Sequence, residues 1–151
     1  NANGFYAFIP PEKPYYILPE KNNYISFLSD TTHTLHYIEE MVNKQELITI
    51  ATPFDTKEQT SLSKEGEMEL SNLAKCFASS PYILTVGVHV SKDGKKSSAK
   101  EISEKQAEII KNYLIKNKVS VNNIAVAGYG NTKPMQGWEN VDNIEIGVIN
   151  K

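Results

Sequence analysis

Apolar positions along the chain fall into two kinds of spacing, and the alternation between them predicts the elements. From Asp30, Leu35, Ile38, Met41 and Val42 recur at helical steps behind the polar cluster Ser29-Asp30-Thr31, which predicts a capped helix over about 31–44. Glu46 to Ala51 (ELITIA) is a short β-rich run, and Pro53 in the polar stretch after it ends the strand. Lys64 to Ser79 places Met68, Leu70, Leu73, Ala74 and Phe77 mostly three or four residues apart, as expected of a helix laid on a sheet, and Pro81 closes it. Tyr82 to Val90 (YILTVGVHV) is almost wholly apolar or β-branched and reads as a central strand covered on both faces.

Beyond a charged, glycine-containing loop at Lys92–Ser98, a second amphipathic stripe runs through Ile102, Ala107, Ile109, Ile110, Tyr113 and Leu114 to a C-cap near Asn117. Asn123 to Gly130 is another strand, and the alternating run Ile144 to Ile149 (IEIGVI) is the last. The order β-α-β-α-β-β predicts an α/β (α+β) sandwich, a mixed sheet with helices on one face. Residues 1–45 would form an N-terminal extended arm and helix, and residues 46–151 the folded domain. The first thirty residues show no period. They combine Pro10, Pro11, Pro14 and Pro19 with Phe5, Tyr6, Phe8, Tyr15, Tyr16 and Tyr24, an extended aromatic arm suited either to a partner or to its own domain.

Composition narrows the picture little. With 40% hydrophobic and 23% charged residues and a formal net charge of -2, the 151-residue chain points to neither nucleic acid nor anionic lipid. No window approaches the roughly 18 apolar residues of a membrane span. Cys76, the single cysteine, reads as a buried small hydrophobe on a helical face. The cations are more telling, because all 16 are lysine and there is no arginine.

Three stretches in order resemble the C-terminal periplasmic domain of the OmpA, MotB and Pal type. Leu62-Ser63-Lys64-Glu65-Gly66, with Leu70 and Leu73, is similar to that family's entry into its first helix. Ile102-Ser103, with Ala107, Ile110 and Tyr113-Leu114, resembles its Leu-Ser-x-x-Arg-Ala helix. Ile124 to Gly130, with Pro134, resembles its strand and Gly-x-Gly turn, where Gly128 and Gly130 would let the backbone turn beside the ligand groove, and Ile144-Glu145-Ile146 fits its final strand. The resemblance covers about two-thirds of the chain and leaves the first 45 residues outside.

The resemblance implies a site for the diaminopimelate of peptidoglycan, built from an Asp, an Asn, a helix Arg and a late Arg pair. Here those positions fall on Val90, Ala99, Gln106, Asp142 and Asn143, and none matches. Asp93 and Lys105 are the nearest substitutes, but one residue of helix is about 100° of rotation, so Lys105 would point away from the groove, and an ammonium lacks the planar fork of arginine. At about 1.5–3 kcal/mol for each charge-assisted hydrogen bond, losing two or more would weaken the usual ligand roughly a hundredfold.

The resemblance therefore implies a non-catalytic structural or interaction subunit of an outer-membrane-associated assembly in the periplasm of a Gram-negative bacterium, with peptidoglycan binding weak or absent. Relatives of this kind include accessory lipoproteins of Dot/Icm-type (type IVB) secretion systems, which would put a lipid anchor upstream of Asn1. A peptidoglycan anchor with non-standard contacts is the alternative. No cofactor is implied. His33 and His36 lie three apart but lack a third metal ligand, and His89 on a core strand is structural. No nucleophile elbow, zinc helix or phosphate loop occurs, so no enzymatic activity is expected. Lys92, Lys95, Lys96 and Lys100 form a local positive patch that reads as a solvated loop. Tyr6, Tyr15, Tyr16 and the single tryptophan, Trp138, are the candidate partner contacts.

Overall fold

The computed structural model describes residues 15–17, 43, 47–55, 58–91, 96–132 and 142–151. In chain order the elements are β1 (Tyr15–Ile17), β2 (Leu47–Ala51), α1 (Lys64–Phe77), β3 (Ile83–His89), α2 (Lys96–Lys116), a single 3-10 turn (Val121–Asn123), β4 (Ile124–Gly130) and β5 (Asn143–Ile149). The strands form one sheet in the order β1-β2-β5-β3-β4. β5 runs antiparallel to both β2 and β3, whereas β3 and β4 are parallel, so the sheet is mixed, as expected.

Alternation along the strands builds the core. Leu84, Val86 and Val88 of β3 and Ile144, Ile146 and Val148 of β5 are buried in one cluster with Leu70, Leu73, Ala74 and Phe77 of α1 and Ala107, Ile110 and Leu114 of α2. Cys76 is buried beside them. β3 is an interior strand, between β5 and β4, and β5 is the middle of the five. Because Gly87 has no side chain, the Tyr129 ring lies over it: a Cβ there would be 2.7 Å from a ring carbon.

Helix ends follow the local chemistry. Ser63 caps α1, its hydroxyl accepting from the Gly66 amide at 2.9 Å. At the end of α2 the Val119 amide donates to the Leu114 carbonyl (3.1 Å) and the Lys118 amide to that of Ile115 (3.0 Å), a Schellman arrangement with Lys118 at φ 75°. Asn117 is its C-cap, and the carboxamide donates to the Tyr113 carbonyl at 2.8 Å.

Of the two alternatives for the aromatic arm, residues 15–17 take the second: Tyr15–Ile17 pairs in parallel with Ile48–Ile50, so this part of it joins its own sheet. Two expectations need correction. α2 begins at Lys96, a turn earlier than the charged loop suggested. Met68, placed on the core stripe of α1, is 55% exposed, because the stripe that meets the sheet runs through Leu70, Leu73, Ala74 and Phe77. The helix expected at 31–44 lies almost wholly outside the described residues.

Candidate functional site

The positions where the resemblance puts a ligand grip gather around the C-terminal end of β3, the first turns of α2, and the β4 and β5 termini. Val90 follows β3 with its side chain buried, and its amide donates to the Gly130 carbonyl at 3.0 Å. Ala99 is buried in the first turns of α2. Gln106, two turns on, is 1% exposed, and its Nε2 donates to the Gln59 carbonyl at 2.6 Å, tying the β2–α1 loop to α2. The other oxygen of that carboxamide, Oε1, is buried without a hydrogen-bond partner among the described residues.

The late pair is spent on the chain itself. Asp142 Oδ1 accepts from the Ser91 amide at 2.7 Å, while its backbone carbonyl accepts from the Thr52 amide at 3.3 Å, so this one residue joins the ends of β2 and β3 to the start of β5. Asn143 is 1% exposed and stands in register between Ala51 of β2 and His89 of β3. One oxygen of the carboxylate is thus fixed to a loop amide, which holds the side chain against the end of β3.

The turn is built on close approach. Were Gly128 to carry a Cβ, it would lie 2.4 Å from the Glu104 amide nitrogen, so α2 packs directly on the β4 backbone. Gly130 adopts φ +59°, where glycine is favoured, and its amide donates to Ser103 Oγ at 2.8 Å. Ser103 is fully buried and donates in turn to the Lys100 carbonyl at 2.8 Å. Lys100 Nζ donates to the Gly128 carbonyl and lies 3.2 Å from Glu104 Oε1, so this lysine is engaged at the turn and does not belong to a free positive patch.

Of the substitutes, Lys105 is exposed on α2, about 100° round the helix from buried Gln106, and Asp93 lies outside the described residues. Tyr6, Trp138, His33, His36, Lys92 and Lys95 also fall outside them, and β1 carries Tyr15 and Tyr16. His89 is 3% exposed on the sheet face away from the helices, stacked on Tyr129 with ring centroids 5.1 Å apart and with Nε2 3.4 Å from Glu145 Oε2. Among the described residues no three His, Cys, Asp or Glu side chains converge as metal ligands, and no helix is long and apolar enough to cross a membrane.

Sequence reasoning missed Gln59, Ser103 as the hinge between α2 and the turn, and the Asp142–Ser91 tie. Only Ser103 left a local signal: a small polar residue on the helix stripe whose counterpart strand carries two glycines.

The fold recurs in solved structures. The periplasmic domain of Helicobacter pylori MotB superposes with a TM-score of 0.58 at 13% identity, covering 70% of this chain and 82% of that one. The peptidoglycan-associated lipoprotein from Burkholderia pseudomallei gives 0.55 at 16% identity, covering 66% and 88%. An outer membrane protein from Borrelia burgdorferi B31 gives 0.56 at 24% identity, covering 69% and 88%. No curated protein matches the sequence significantly. The OmpA family model matches residues 54–143, from the start of the β2–α1 loop to the first residue of β5 and well over half of the chain, and on that match the chain belongs to the OmpA family.

Proposed function

We propose that this chain is a non-catalytic structural subunit of a periplasmic, outer-membrane-associated assembly, in which the OmpA fold is kept and its peptidoglycan grip has been turned into internal bonding. The observation that carries the reading is Gln106. At the position of the ligand-binding arginine stands a neutral side chain, 1% exposed, whose donor is already used by the Gln59 carbonyl. Val90 at the aspartate position supplies no charge, and Asp142, at an arginine position, has the opposite charge and one oxygen bonded to the Ser91 amide. An ionic ligand entering here would meet no arginine and no aspartate at Val90 and Gln106, only the Gln106 Oε1 acceptor and a carboxylate already bonded through one oxygen, too little to offset its desolvation.

Envelope placement is part of the proposal, supported by relatives of the same fold: the MotB domain is named as periplasmic and the Burkholderia protein as a peptidoglycan-associated lipoprotein. A secretion complex of the Dot/Icm type is the finer proposal, supported by the combination of a degenerate site with an aromatic extension ahead of the domain. On this reading residues 1–45, apart from β1, serve assembly, and residues 46–151 together with β1 serve as the scaffold.

The test is co-sedimentation with insoluble peptidoglycan sacculi, using a family member that retains its Asp and Arg as positive control. We expect the control to sediment and this chain to remain in the supernatant. Sedimentation equal to the control would overturn the proposal and make the chain an anchor with non-standard contacts.

A further inference from the structure

The exposed Met68 stands in a groove of about 560 Å³ between the outer faces of α1 and α2, away from the positions discussed above. Along α1 the lining residues Lys64, Met68, Ser71, Asn72 and Lys75 make a continuous stripe at three- and four-residue steps, and Tyr113 of α2 forms the facing wall. Tyr113 is fixed there by its hydroxyl, which donates to the Glu67 carbonyl at 3.0 Å. Burial first, and then the Glu67 charge, hold that phenol above its usual range, so it stays a donor.

Asn72 is the unusual member. Its side chain is nine-tenths buried and lines the groove, yet it makes no hydrogen bond among the described residues. A carboxamide offers a donor and an acceptor side by side, the pattern that an extended main chain presents in return. A helical ligand would not satisfy it, because helix backbone groups are bonded internally.

Charge sets the rest of the ligand. Lys64 and Lys75 stand at the two ends of the stripe, about 16 Å apart along the helix axis, which an extended peptide spans in roughly five residues. Glu67, also in the lining and three residues from Lys64, has carboxylate oxygens that suit main-chain N–H groups and disfavour an acid at that point. The pattern along the groove is cation, acceptor, apolar floor, free carboxamide, cation.

We infer that the α1–α2 groove docks an extended acidic peptide segment of a partner protein, with carboxylates on Lys64 and Lys75, an apolar side chain against Met68 and Tyr113, and its main chain bonded to Asn72. This surface is separate from the family's ligand positions, so the inference holds whether or not the chain sediments with sacculi.

The test is NMR of the isotope-labelled full chain, following the Asn72 side-chain amide and the Met68 methyl. The probes are pooled hexapeptides Asp-x-x-x-x-Asp with x drawn from Val, Leu, Phe and Thr, against the same pool with Lys at both ends. We expect both signals to move with the acidic pool at sub-millimolar concentration, and not with the basic one. Asn72→Leu, which keeps the helix and the bulk, should weaken the acidic pool at least tenfold by the Met68 signal, and Lys64→Gln with Lys75→Gln should remove the preference between pools. Three outcomes would overturn the inference: no movement with the acidic pool up to about a millimolar, equal movement with both pools, or movement that follows protein concentration without peptide, which would assign the groove to a second copy of the chain.

Discussion

Gln106 and Gln59, 47 residues apart in the chain, meet at 2.6 Å through a side-chain amide and a main-chain carbonyl, and this contact closes the β2–α1 loop onto α2. The bond needs a donor on residue 106. Gln106→Glu puts an acceptor in its place, facing the Gln59 carbonyl at a position 1% exposed. The cost is expected to exceed about 3 kcal/mol, the loss of a hydrogen bond plus an uncompensated buried charge. Protonation restores a donor, so the variant should lie closer to wild type at about pH 5 than at about pH 8 by urea denaturation. An equal loss at both would mean that the carboxylate is solvated and the loop already open.

Glu69 gives the native chain a pH dependence of its own. Desolvation by burial, and then the charge of Glu65, raise its carboxyl from 4.5 to about 7. The folded state therefore holds this proton more tightly than the unfolded state does. The stabilising effect is complete below about pH 4.5 and is lost as pH rises through about 7. Glu69→Gln keeps the neutral form at every pH, so it should match wild type at about pH 4 and exceed it at about pH 8 by on the order of 1–3 kcal/mol. The check is a pair of urea curves for each protein.

Gly128 admits no side chain. A methyl group there would stand 2.4 Å from the Glu104 nitrogen and 2.5 Å from the Ser103 carbonyl carbon, both backbone atoms that move only if α2 moves. Gly128→Ala is expected to cost at least about 3 kcal/mol, above the usual overpacking range because rigid backbone takes the strain. Ala127→Gly, one residue earlier on the opposite face, should cost about 1 kcal/mol. Thermal denaturation of the two variants side by side separates close approach from generic strand effects.

The fold was legible because pattern reports on burial: β5 alternates, β3 is a continuous apolar or β-branched run, and α2 repeats every three or four residues, over lengths that leave one solution. Met68 escaped because it sits on the border of the α1 stripe, where coverage depends on how far α2 reaches. The three residues of β1 are too few to show a period, and their pairing with β2 is long-range. At the candidate site the sequence showed which charges were missing but not what replaced them. The Asp142–Ser91 bond spans 51 residues and the Gln106–Gln59 bond 47, and nothing local to either residue marks its partner.

Lys118 carries the α2 C-terminus in a conformation that suits glycine. Its φ of 75° places the Cβ against the following carbonyl, a cost of roughly 1 kcal/mol for a non-glycine residue, yet the position is needed to send Val119 back into the core, where it is 2% exposed. Lys118→Gly relieves that strain while loosening the unfolded chain, and the balance should favour the variant by about 0.5–1 kcal/mol, or roughly 2–4 °C in melting temperature for the larger figure. Lys118→Ala keeps the Cβ and should change stability by less than about 0.5 kcal/mol, which makes it the control for loss of the lysine charge. If glycine and alanine behaved alike, the gain would come from the charge and not the backbone, and the Schellman turn would be unstrained.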